Sequence, residues 1–244
     1  MAIQTKSVNS ALVYYDDRYT NRWIDALGEN VRKYIPNAGP AADDTTLNLA
    51  EWTVTETDVG AGDTSVAASQ TAGDLVLITT AQNEYDGVSM QVNGEAFEFA
   101  AGKPCYFGIR CAASDATQSD LLVGLAEIDT TLTAADTAHA IGVGGDGAFF
   151  SKLDAVTTIY ANVYNGGAST AQVAVPTALD TGYHTYEIYF DGVATIYFYF
   201  DGTLVTSASS ASVTAAFTPS VSFRAGVAAA KTLAISWVRC IQVR

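Results

Sequence analysis

The chain has 244 residues, 49% hydrophobic and 16% charged, which is enough to bury a full core without metal or disulfide support. Twelve basic against 26 acidic residues give a formal net charge of −14, which argues against nucleic acid and anionic membrane surfaces as partners. Three cysteines, Cys105, Cys111 and Cys240, are too few and too irregularly placed for a disulfide framework or a zinc site, and they suggest buried thiols in a chain that folds in a reducing cytosol.

The N-terminal stretch MAIQTKSVNSALVYYDD lacks a charged start followed by an apolar core, so no signal peptide is expected. No apolar run is long enough to span a membrane. The expectation is synthesis in a cytoplasm, with assembly into a particle as the route outward.

Residues 1–46 read as an N-terminal arm and linker, and residues 47–244 as the main domain. The arm holds five of the twelve basic residues: Lys6, Arg18, Arg22, Arg32 and Lys33. Within it, TNRWIDALGENVRKYI places Trp23, Leu27 and Val31 four residues apart, which predicts a short amphipathic helix over 20–35. Thr20 or Asn21 would cap it and Pro36 would stop it, while Gly28 weakens it by roughly 1 kcal/mol. Such a helix must pack on something. Its own domain is one candidate. A neighbouring subunit or partner is the other, with Arg18, Arg22, Trp23, Leu27, Val31, Arg32 and Lys33 as the docking residues.

From Leu47 onward the pattern is strand-like. Strands are predicted at Trp52–Thr57, Asp74–Thr79, Gly87–Val92, Glu95–Phe99, Cys105–Cys111, Leu121–Ile128, Ile141–Val143, Ala148–Lys152, Thr157–Val163 and Ala171–Val175. Asn93-Gly94 reads as a hairpin turn. Residues 183–207, YHTYEIYF-DG-VATIYFYF-DG-TLVTS, predict a three-stranded meander with Asp191-Gly192 and Asp201-Gly202 at its tight turns. Closing strands fall near Val221–Val227 and Thr232–Val243. Regular turns between so many short strands predict an antiparallel jelly-roll β-sandwich.

Alternation gives the meander two faces. Ile188, Phe190, Ile196, Phe198 and Phe200 belong to a core. Tyr183, Tyr189, Tyr197 and Tyr199 form an aromatic face tipped with hydroxyls. That face suits burial under another layer, a neighbouring subunit or a sugar, because tyrosine has an apolar ring and a polar tip.

HTYEIYFDG, IYFYFDGTLV and the terminal LAISWVRCIQV resemble the concanavalin A-like jelly roll of legume lectins, laminin G modules and their glycosidase relatives. The resemblance covers roughly residues 75–244. It implies a last strand that returns to the centre of a sheet, bearing Trp237. Jelly-roll glycosidases carry Glu-x-Asp-x-x-Glu, with two carboxylates roughly 5 Å apart in retaining enzymes. Here Glu127-Ile128-Asp129 matches the start, and Leu132 stands where the second glutamate is needed, so no catalytic residue is expected. Lectins of this fold bind Ca²⁺ through loops dense in Asp and Asn. Asp43-Asp44, Asn83-Glu84-Tyr85-Asp86 and Asp146 are the nearest candidates, and none forms the ligand series. His139 and His184 lack the context of a nucleophilic site, and Ile141–Gly147 lacks the lysine of a phosphate loop. No cofactor is expected.

The Tyr14–Tyr19 arm motif, low lysine content, Ala/Thr/Gly-rich strands and lectin-like domain also resemble structural proteins of tailed-phage virions. That resemblance implies a capsid decoration or cement protein, located in the virion and made in the host cytoplasm. Its partners would be capsid protein and its own copies, as a homotrimer. The alternative is a carbohydrate-binding module with a glycan as partner, such as a phage receptor-binding domain.

Overall fold

The computed structural model describes residues 3–17, 19–35, 51–59, 64–68, 76–130, 132 and 144–244. The described residues contain nineteen strands and no helix. Three sheets are formed, two of them facing each other as a sandwich.

The N-terminal segment departs from the expected helix. β1 (Ile3–Val8), β2 (Ala11–Asp16) and β3 (Tyr19–Leu27) form a small antiparallel sheet in that order. Asn9 and Ser10 take φ of 47° and 66°, the two left-handed positions of a tight hairpin turn. The spacing of four in Trp23, Leu27 and Val31 comes from a bulged strand. Register shifts at Tyr14/Tyr15 and Tyr15/Asp16 bring Trp23 and Ala26 to the same inner face, and Leu27 points outward at 48% exposure. Gly28, at φ 137°, turns the chain into β4 (Val31–Tyr34), which leaves the small sheet and pairs with the final strand.

The first sandwich sheet contains β6 (Ser65–Ala68), β7 (Val76–Thr79), β10 (Cys105–Ala113), β15 (His184–Phe190), β16 (Thr195–Phe200), β17 (Thr203–Ser209) and β19 (Thr232–Val243). Its order is β17-β16-β15-β10-β19-β7-β6, and β4 pairs with the far end of β19. The last strand therefore returns to the middle of this sheet, as expected from the sequence. The second sheet contains β5 (Trp52–Thr57), β8 (Gly87–Val92), β11 (Ser119–Ala126), β12 (Gly147–Lys152), β13 (Tyr160–Asn165), β14 (Ala168–Ala174) and β18 (Ala216–Ala225). Its order is β14-β13-β12-β11-β18-β8-β5. The short β9 (Phe97–Glu98) also pairs with β18, in line with β8. Asn93-Gly94 is thus no hairpin: the chain makes a detour and resumes along the same neighbour.

Phe107, Phe150, Ile188, Phe198, Val221 and Phe223 lie in the main core between the sheets, each at most 1% exposed. Of the two meander turns, Asp201-Gly202 is the tight one, with φ of 49° and 75°. The loop at Asp191 is longer, and the Asp191 carboxylate closes it by accepting the N–H groups of Val193, Ala194 and Thr195 at 2.7, 2.9 and 3.1 Å. The predicted strand at Ile141–Val143 lies outside the described residues.

The small N-terminal sheet lies on the outer face of the first sandwich sheet. Ala11, Val13, Trp23 and Ala26 meet Tyr106, Tyr189, Tyr199 and Ile241 in a second core. Trp23 is 1% exposed, with its ring centroid 5.4 Å from that of Tyr189. The tyrosine face is therefore covered by another layer of the same chain. Trp23→Ala should lower unfolding free energy by about 3–5 kcal/mol, measured by denaturant titration. A loss below about 1 kcal/mol would show that the small sheet does not depend on this anchor.

Candidate functional site

β11 ends at Ala126, and the segment beyond it carries the carboxylates singled out in the sequence. Glu127 Oε2 accepts the Asp146 N–H at 2.5 Å, and Asp129 Oδ2 accepts the Gly144 N–H at 2.8 Å. Gln91 binds both sides of this segment, donating to the Glu127 carbonyl at 2.9 Å and accepting the Asp129 N–H at 2.8 Å. Leu132, which replaces the second glutamate, is fully buried against Leu122, Ala126 and Phe149 on the outer face of the second sheet. Both carboxylates act as acceptors that hold returning chain, and Leu132 beside them is an apolar plug.

The same use of carboxylates recurs. Asp146 accepts the N–H groups of Gly166 at 2.8 Å, Thr214 at 2.9 Å and Ala215 at 3.3 Å, and so ties three loops together. Asp86 is fully buried and accepts the Val59 and Asn83 N–H groups at 2.6 and 2.7 Å. The Asn83–Asp86 calcium candidate is thus a turn, with Tyr85 at φ 73°. Asp43-Asp44 and His139 lie outside the described residues. Among the described residues, no cluster of three His, Cys, Asp or Glu groups has metal-binding geometry. His184 is clamped between Asp201 at 2.7 Å and Asp180 at 3.1 Å and stacks on Phe200, so it staples a loop to the meander.

The outer face of the second sheet is polar but internally satisfied. Ser89 and Ser222 share a hydrogen bond at 2.9 Å, Gln91 donates to Ser220 at 2.9 Å, and Asn162 donates to Ser151 at 2.9 Å. At one end of this face Arg224 donates to Asp120 Oδ2 through Nε and Nη2, both at 3.0 Å, with both residues fully buried. Nearby, Lys152 donates to the Thr117 carbonyl at 2.7 Å and to the Ser119 carbonyl. Burial pulls the Lys152 ammonium down to about 8, against the opposing pull of Asp120, Asp154 and Asp115. Asp115 also falls, but here its partners outweigh burial. Burial raises it, yet the Gln118 N–H, the Lys231 ammonium and the Thr117 N–H bring it down to about 2. The three cysteines are free and buried, and burial pushes Cys111 up to about 12.

The remaining candidates divide between inside and outside. Tyr189 and Tyr199 are buried beneath the small sheet, and Tyr197 is half-buried at its edge. Of the expected docking residues, Trp23 is internal, Val31 and Arg32 are half-buried, and Leu27 and Lys33 are exposed. Arg32 donates to the Ala96 carbonyl, and Lys33 pairs with Asp25. Arg18 and the Arg22 side chain lie outside the described residues.

Tyr183 is 37% exposed and sits at the uncovered end of the first sheet's outer face. There it joins residues that sequence reasoning did not connect. The Arg110 guanidinium lies 4.4 Å from the Tyr183 ring centroid. Arg110 is paired across strands with Trp237, and the Arg239 guanidinium lies 5.3 Å from the Trp237 ring. Gly108 forms the floor. A Cβ there would collide with the Tyr106 hydroxyl and come within 3.0 Å of Trp237 Cζ3.

No protein-family model matches the chain, and no curated protein does. Solved structures do match. One comes from work on endo-acting O-glycanases of the human gut microbiota, with 13% identity and a TM-score of 0.57, covering 86% of this chain and 99% of that one. Another is the metal-free carbohydrate recognition domain of Emp46p, with 12% identity and a TM-score of 0.55, covering 85% and 95%. A third is the endo-1,3-β-glucanase of Streptomyces sioyaensis, with 12% identity and a TM-score of 0.56, covering 90% and 99%. These neighbours place the chain in the concanavalin A-like jelly-roll fold shared by lectin domains and glucanases. At such identities they define the fold alone.

The depressed Lys152 value sets a pH dependence. Its folded value of about 8 lies below the ordinary 10.5, so between them the unfolded chain binds more protons and folding gains as pH rises. Relative to Lys152→Met, the wild type should gain stability between pH 8 and 10.5, approaching about 3 kcal/mol, and the difference should be flat below pH 8. Paired denaturant titrations would show it. A flat difference across that window would contradict a desolvated ammonium.

Proposed function

We propose that this chain is a non-enzymatic structural protein, a subunit that decorates a virion surface through contacts with its own copies and with capsid protein. The observation that carries this reading is a flank without charge on an otherwise strongly acidic body. Residues 157–179 and 202–223 contain no Asp, Glu, Lys or Arg, in a chain that has 38 of them. The first stretch builds β13 and β14, and the second begins with β17. β14 and β17 are the terminal strands of the two sandwich sheets, and β13 touches β17, so these charge-free strands lie on one flank.

Every residue of β14 except Ala171 is exposed, and β17 presents Leu204 at 51% exposure. An edge strand without charged side chains is open to pairing, because lysine and other charges are what usually block it. Two bodies of charge −14 repel each other elsewhere, so self-association is least opposed here. The use of Glu127 and Asp129 as backbone acceptors supports a non-enzymatic role. With Trp23 internal, the docking role expected of the arm passes to the flank.

A carbohydrate-binding role is the second reading. It is favoured by the partly exposed stack of Tyr183, Arg110, Trp237 and Arg239.

Light scattering on the purified chain should give a multiple of its 25.6 kDa mass, with a trimer expected. Val173→Lys with Leu204→Lys puts charge on both edges at exposed positions and should weaken association about tenfold or more. A wild-type monomer throughout the micromolar range would overturn the assembly reading.

A further inference from the structure

Twelve basic residues face 26 acidic ones in this chain, and four of the described cations are paired with a carboxylate. Lys33 pairs with Asp25, Lys103 with Glu98, Arg224 with Asp120 and Lys231 with Asp115. Arg110 and Arg239 differ. Among the described residues, neither is bonded to a carboxylate. Arg110 donates only to Ser236 Oγ and Arg239 only to the Ile24 carbonyl, each at 3.4 Å. Each instead lies over an aromatic ring: Arg110 over Tyr183 at 4.4 Å and Arg239 over Trp237 at 5.3 Å. A guanidinium has five N–H donors, so most donors of both remain for a ligand.

Strand register makes these four residues one surface. Arg110 of β10 is paired with Trp237 of β19, and Gly108 is paired with Arg239. Tyr183 directly precedes β15, the other neighbour of β10. The row therefore runs from Tyr183 through Arg110 to Trp237 across the sheet and then turns along β19 to Arg239, alternating ring and cation. The absent side chain at Gly108 lets Trp237 lie low. The small N-terminal sheet, through Ile24, walls one end. The carboxylate facing this row from β15 is Glu187, which is 1% exposed and accepts from the Tyr106 hydroxyl at 2.8 Å.

We propose that this shelf is a binding site for a carboxylated sugar, such as a uronic acid within an acidic glycan. A pyranose ring lays its C–H face on an aromatic ring, and its carboxylate matches the planar fork of a guanidinium. Both halves of such a ligand are met here within one side-chain row. Neutral sugars engage only the rings. Nucleic acid engages the arginines but brings a run of phosphates toward a body of charge −14, which repels it. The shelf lies on the face of the sandwich opposite to Glu127 and Asp129, away from the charge-free flank. The proposal rests on the carbohydrate-binding reading and is independent of assembly.

The test is calorimetric titration of the full chain with trigalacturonate and with the neutral maltotriose, alongside light scattering on the same samples. The wild type should bind trigalacturonate at least about tenfold more tightly than maltotriose, and added salt should narrow the gap. Arg110→Gln and Arg239→Gln are half-exposed changes that leave the core intact. Each should weaken trigalacturonate about tenfold without shifting the melting temperature or the mass. Arg110→Lys keeps the charge without the fork and should recover only part of the affinity. The proposal fails if trigalacturonate gives no heat at millimolar concentration, if maltotriose binds equally well, or if the double glutamine variant binds as the wild type does. Loss of sugar binding with the oligomer retained would sink the shelf alone. A monomer that binds trigalacturonate would support the shelf while sinking the assembly reading.

Discussion

A sandwich built from many short strands leaves much of its backbone in loops, and every loop N–H that is shut away from water needs an acceptor. This constraint organises the molecule. Asp86, Asp146, Asp191 and Asp201 each accept one or more backbone N–H groups, as do Glu95, Asp115, Asp120, Glu127 and Asp129. Much of the acidity that looks like surface charge in the sequence is joinery between loops. It also explains why carboxylate pairs suggestive of catalysis turn out to face peptide groups.

The strands of the sandwich were legible because alternation and β-branched or aromatic density act locally. Trp52–Thr57, Gly87–Val92 and Thr232–Val243 run as the pattern predicts. The N-terminal segment departs from its helical pattern for an equally local reason. A bulged strand can place Trp23 and Ala26 on one side while its apolar residues keep a helical spacing, and only pairing with β2 separates the two cases. Asn9-Ser10 carried the missing turn signal, since asparagine tolerates a left-handed backbone.

The candidate sites were less legible because their roles depend on distant chain. Glu127 is conspicuous in the sequence, but its donor is the N–H of Asp146, beyond the glycine-rich stretch. Arg110, Tyr183, Trp237 and Arg239 show no motif at all. They come from or adjoin three strands far apart in sequence, and register alone aligns them. The tyrosine face was recognised as needing a cover. The cover is the N-terminal segment itself.

The position of β19 has a consequence for how the chain comes to be folded. It lies between β10 on one side and β7 and β4 on the other, at the centre of its sheet, yet in chain order it follows every other described strand. Until Val243 has left the ribosome, β4 and β7 have no inner neighbour, and the small N-terminal sheet lacks Ile241 and Val243 beneath it. At elongation rates of about 5–20 residues per second that wait is on the order of 10–40 s. Through that interval the nascent chain carries unpaired, apolar strand edges, so its yield in a cell depends on a race between completion and aggregation rather than on the stability of the finished sandwich.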